Sequence, residues 1–124
     1  MDCNEFKRFR RKLGRTQKEM AQLLGISLKA VHSYEQGWRS IPGHVERQIF
    51  FLVSRLQEVR QNRKLCWDVN QCPADRKENC PAWEFQAGDL CWSVSGTLCH
   101  GEIQDSWTEK MKICRSCKVI TSLL

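Results

Sequence analysis

Seven of the eight cysteines lie in the last 59 residues of this 124-residue chain. A segment that short buries little apolar surface and is marginal without disulfides, a metal or a partner. Charge divides the other way. Residues 1–65 hold 14 Lys and Arg against six Asp and Glu, whereas residues 66–124 hold six against eight. Two units are therefore expected: 1–65, basic, and 66–124, cysteine-rich. The longest apolar run, Ile49 to Val53, is five residues. A membrane span needs about 20, so no membrane protein is expected. The first residues, Met1-Asp2-Cys3-Asn4-Glu5, do not read as a secretory signal, so a cytoplasmic, reducing compartment is the expectation.

The basic unit reads as helices. Phe6, Phe9 and Leu13 share one helical face, and Gly14 stops that helix. Thr16-Gln17-Lys18-Glu19 is a capping box that opens a second helix, with Met20, Ala21 and Leu24 facing inward and Gly25 closing it. Ser27 caps a third helix over Leu28–Gln36, which Gly37 ends. After Pro42-Gly43 one long helix is expected from about His44 to Lys64. Its Val45, Ile49, Leu52, Leu56 and Val59 form a 4-3-4-3 stripe that would suit a homodimer.

The run Thr16 to Ser27, followed by Val31, Tyr34-Glu35 and Gly37, resembles the Cro/repressor-type (XRE) helix-turn-helix family over about residues 4–56. The resemblance implies double-stranded DNA as a partner, with the third helix in the major groove. It puts the candidate DNA contacts at Thr16, Gln17, Ser27, Leu28, Lys29, His32, Ser33, Arg39 and Ser40. It also implies a structural ion pair between Arg10 and Glu35. The third helix shows no outward Arg or Asn, so its base-reading equipment is thin.

The cysteine-rich unit is spaced Cys66-x5-Cys72-x7-Cys80-x10-Cys91-x7-Cys99-x14-Cys114-x2-Cys117. In a reducing compartment such density points to a metal, a cluster or redox chemistry more than to a disulfide scaffold. An odd count of seven fits paired disulfides worst. Cys114 and Cys117 make a chelating pair, with Cys91 and Cys99 next, and Cys66, Cys72 and Cys80 are further candidates. The cofactor expected first is an iron–sulfur cluster, with zinc second and His100 a further zinc candidate. The repeated Cys-Trp pairs, with Gly96-Thr97 and the terminal Cys-x2-Cys, resemble the cysteine-rich "two-CW" domain attached to bacterial signalling and regulatory proteins.

The fold class expected is mainly α: a helix-turn-helix domain, then a small irregular cysteine-rich domain that is α+β or has little regular structure. His100-Gly-Glu102 followed by Cys114-x2-Cys117 approximates a zinc deaminase signature, but the spacing is too short for that fold. No phosphate loop or catalytic triad is present, so no enzyme is expected. The chain thus reads as a sequence-specific transcriptional regulator that senses redox or metal state. The alternative is a protein–protein adaptor in a signalling complex, carrying a structural zinc domain.

Overall fold

The computed structural model describes residues 1–94 and 96–122. Four helices make up the first unit, Met1–Leu56: α1 (Cys3–Lys12), α2 (Gln17–Leu24), α3 (Leu28–Gln36) and α4 (Gly43–Ser54). Their ends follow from local chemistry. Asp2 Oδ1 accepts the Glu5 amide at 2.8 Å and starts α1. At α2, Thr16 Oγ1 accepts the Glu19 amide at 3.1 Å while Glu19 Oε1 accepts the Thr16 amide at 3.0 Å. Ser27 Oγ accepts the Ala30 amide at 3.0 Å and starts α3. Gly25 lies at φ 67°, a left-handed position that glycine takes at no steric cost, and it turns the chain between α2 and α3.

α3 packs against both α1 and α2, and α4 closes over α1 and α2. Phe6, Phe9, Met20, Val31, Ile49 and Phe50 are fully buried. Phe9 and Phe50 meet edge to face at 5.7 Å, and Phe6 meets Tyr34 at 5.8 Å. Each such side chain contributes roughly 1.5–3 kcal/mol by leaving water.

The single helix expected from His44 to Lys64 is instead two. α4 ends at Ser54, and α5 (Gln57–Gln61) follows. Ser54 Oγ donates to the Phe51 carbonyl at 2.6 Å, and the Arg55 and Leu56 amides turn back tightly onto Leu52 and Val53. A side chain that bonds its own helix backbone competes with propagation. The stripe from Val45 to Val59 is therefore not carried by one continuous helix.

The second compact unit is Gln57–Leu124, so the division falls at 56/57, against the 65/66 expected from charge and cysteine. It strings short helices together: α5, α6 (Cys66–Val69), α7 (Ala74–Glu78), α8 (Pro81–Glu84), α9 (Trp107–Cys114) and α10 (Lys118–Thr121), with tight turns at Cys91–Ser93 and Cys99–Gly101. Among the described residues there is no strand, so the α+β option for this unit is set aside in favour of short helices. Its core is Ala82, Trp92, Met111, Val119 and Ile120. α6 packs on α10, α7 on α8, and α9 on the Cys91–Ser93 turn. The Cys66 amide donates to the Gly88 carbonyl at 2.9 Å, and a Cβ on Gly88 would lie 2.7 Å from the Trp67 ring. Trp67 in turn meets Trp83 edge to face at 4.9 Å.

Candidate nucleic-acid interface and cysteine cluster

In the first unit the interface is built around α3. Leu28, Lys29, His32 and Gln36 are exposed on it, with Arg39 and Ser40 exposed just beyond its end. The Arg39 guanidinium sits 5.5 Å over the Tyr34 ring, which holds it beside the helix C-terminus. Thr16 and Ser27 are exposed, but their hydroxyls already cap α2 and α3. Ser33 corrects the expectation made of it. It is 8% exposed, because it lies three residues from buried Ala30 on the inward face, and it cannot meet a base.

Gln17 also departs from its expected role. Its side-chain amide donates to Glu35 Oε2, so the side chain serves the fold and only its backbone is left at the helix start. Arg10 Nε donates to Glu35 Oε1 at 2.5 Å, and Arg10 also reaches the Arg15 carbonyl at 3.0 Å. Glu35 is 2% exposed. One buried carboxylate thus ties the end of α1, the start of α2 and the end of α3, and fixes how α3 is presented. Trp38, 76% exposed directly after α3, is a surface residue of this region that the spacing of the motif does not mark.

In the second unit Cys91 and Cys114 are buried, and Cys66, Cys99 and Cys117 are half-buried. The Cys91 thiol donates to Cys66, which lowers the Cys66 pKa; its own backbone amide and that of Trp67 lower it further. The same bond, and then burial, push the Cys91 thiol up. Burial raises Cys99, and it pushes Cys114 up to about 11. Cys117 stands within electrostatic reach of Cys99 and Cys114. Cys72 and Cys80 stand beside Cys66 and Cys99. With Cys66, Cys99, His100 and Arg76 they line a cavity of about 30 Å³, and Cys80 Sγ accepts the Leu98 amide at 3.4 Å. Among the described residues, no three Cys, His, Asp or Glu side chains stand in closed ligand geometry. All eight cysteines are unbridged.

The residue that sequence reasoning missed is Lys110. It is 5% exposed, and its Nζ donates to Thr97 Oγ1 at 2.5 Å, while Thr97 Oγ1 lies 3.8 Å from Cys99 Sγ. Its one sequence signal is position: Lys110 precedes Cys114 by four residues and shares its helical face.

No helix among the described residues is long and apolar enough to cross a membrane. No curated protein and no solved structure matches the chain. Residues 6–43 match the Helix-turn-helix family model.

Proposed function

We propose that the chain is a sequence-specific transcription regulator whose C-terminal unit holds a thiolate-bound metal centre and uses it to sense redox state or metal supply. The observation that carries the DNA half is the exposed face of α3, with Lys29 and His32 outward, on a unit locked by the Arg10–Glu35–Gln17 contacts. Lys29 would donate to guanine or phosphate, Leu28 would meet a thymine methyl, and Arg39 and Ser40 would contact phosphate. A palindromic site read by two chains would place two such helices one duplex turn apart. On α4, Phe51 is the exposed apolar residue left for that pairing.

An iron–sulfur cluster is the first reading for the centre and zinc the second. The buried thiols of Cys91 and Cys114, and the buried cation Lys110 that reaches Cys99 through the Thr97 hydroxyl, are what support it. Cys91, Cys99, Cys114 and Cys117 are the ligands that spacing favours. Such a centre supplies electron transfer if it is a cluster, and rigidity if it is zinc. The chain's own residues supply soft donors and keep them largely out of water.

The adaptor reading has one observation in its favour. Phe85 and Ile103 are exposed apolar residues of the second unit, as a docking surface would require. The test is duplex binding over a salt series, with sites selected from a random library, alongside iron, zinc and sulfide content. Affinity falling steeply with salt and weakened by Lys29→Ala supports the regulator. Affinity indifferent to both leaves the adaptor.

A further inference from the structure

The turn that ends α3 holds two neighbouring side chains very differently. Gly37 lies at φ 75°, and the Trp38 and Arg39 amides both donate to the Ser33 carbonyl, at 2.9 and 3.3 Å. The turn is seated on α1, since a Cβ on Gly37 would stand 3.8 Å from Cys3 Sγ. Its backbone is therefore fixed. Arg39 folds back over the Tyr34 ring at 5.5 Å. Trp38 stays in water. At 76% it is the most exposed large apolar side chain among the described residues.

Tryptophan is seldom left so open, and a ring with one polar edge suits an interface. The local charge says which kind. From Met20 to Val45 the only carboxylate is Glu35, which is 2% exposed and held by Arg10. The exposed side chains of α3 and its turn include Lys29, His32, Gln36, Arg39 and Ser40. Residues Met1–Leu56 as a whole hold 11 Lys and Arg against five Asp and Glu. A surface of cations and hydrogen-bond donors with no exposed anion complements a phosphate strand.

Length puts the ring on that strand. The nine residues of α3 rise about 13 Å, and the major groove is about 12 Å wide. With Leu28 and Lys29 at base edges, the residues past Gln36 emerge at the groove wall, which is sugar and phosphate. An indole can meet such a wall with both of its characters, the flat apolar ring and the single N–H donor.

We infer that Trp38 is a further duplex contact, packing its ring on a backbone deoxyribose and donating its Nε1–H to a phosphate oxygen, beside the phosphate that Arg39 takes. The inference deepens the DNA half of the proposed function and rests on it. The contact is neutral, so it releases no counterion, and it touches no base edge. It therefore adds affinity for any duplex without adding salt dependence or sequence preference. In this it differs from Lys29.

The experiment titrates the full chain, Trp38→Ala and Trp38→Phe against the selected duplex and an unrelated duplex of equal length, over one salt series. Trp38→Ala should weaken binding to both duplexes by about 10-fold, as expected for one aromatic ring left in water, with an unchanged salt slope. Trp38→Phe keeps a ring without the N–H and should recover part of the loss. A second measurement reads the side chain directly. Trp38 is the one tryptophan of Met1–Leu56, and the emission that Trp38→Phe removes is its own. Duplex should shield that emission from acrylamide.

Variants that bind both duplexes as the parent does, with Trp38 still open to acrylamide in the complex, overturn the contact while the regulator reading stands. A loss confined to the selected duplex also overturns it, because Trp38 would then be reading bases. Shielding that grows with chain concentration in the absence of DNA overturns it in favour of a second copy of the chain. Failure of the parent chain to bind either duplex overturns the regulator reading itself.

Discussion

Arg10 Nε lies 2.5 Å from Glu35 Oε1, and the carboxylate that it holds is 2% exposed. The pair joins the last turn of α1 to the end of α3, and Gln17 completes the contact from α2. A buried carboxylate left without its cation is far costlier than the pair is worth. Arg10→Met should therefore destabilise the first unit by about 3–5 kcal/mol in urea unfolding. The double change Arg10→Met with Glu35→Leu should recover much of that loss. A single variant as stable as the parent would mean that the pair does not fix α3.

Lys29 is exposed on α3. Lys29→Ala should reduce the salt slope of duplex binding by about 1 if it contacts phosphate, or cost about 1–3 kcal/mol with relaxed specificity at one position if it contacts a base. Ser33→Ala should leave affinity for the selected duplex within about twofold, since a buried hydroxyl touches no DNA. Anisotropy titrations separate these outcomes.

Gly88 has no room for a side chain. Its Cβ would meet the Trp67 ring at 2.7 Å, and that ring is held edge-on by Trp83. Gly88→Ala should destabilise the second unit by about 1–3 kcal/mol through overpacking. Calorimetry should show that loss while low-salt duplex affinity is kept. Equal melting of the variant and the parent would contradict this placement of Trp67.

The thiols of the metal-free chain should titrate apart. The Cys91 hydrogen bond lowers Cys66, so alkylation by iodoacetamide near pH 7 should reach Cys66 before Cys91, Cys99 and Cys114. Stability follows the opposite groups. A thiol whose folded pKa is raised contributes fully below its unfolded value and loses that contribution as pH rises through the folded one. The metal-free second unit should therefore weaken from the ordinary thiol value of 9.0 up through about 11, where Cys114 ionises. Thermal unfolding across that range checks it.

The parts of the fold readable from sequence are those written in local chemistry. Thr16 with Glu19, Gly25, Ser27 and Gly37 each act within four residues of themselves, so the residues alone bound α2 and α3. The break after Ser54 is hidden because the apolar spacing from Val45 to Val59 runs straight through it, while a single serine hydroxyl ends the helix. The polarity of Ser33 suggests an outward side chain, but its position three residues after Ala30 turns it inward. In the cysteine unit, Cys114-x2-Cys117 stands out as a short-range pair. The cavity wall that Cys66 shares with Cys72, Cys80 and Cys99 depends on contacts between segments far apart in the chain. Lysine is ordinarily a surface residue, so nothing in composition marks Lys110 as buried.

The central claim is that α3 presents a DNA-reading face. Its most direct measurement is the affinity of the full chain for a selected duplex, taken between about 50 and 200 mM salt and repeated with Lys29→Ala. Affinity should fall by at least about 10²-fold across that range, and Lys29→Ala should bind more weakly with a shallower slope. Affinity that changes with neither salt nor Lys29 would contradict it.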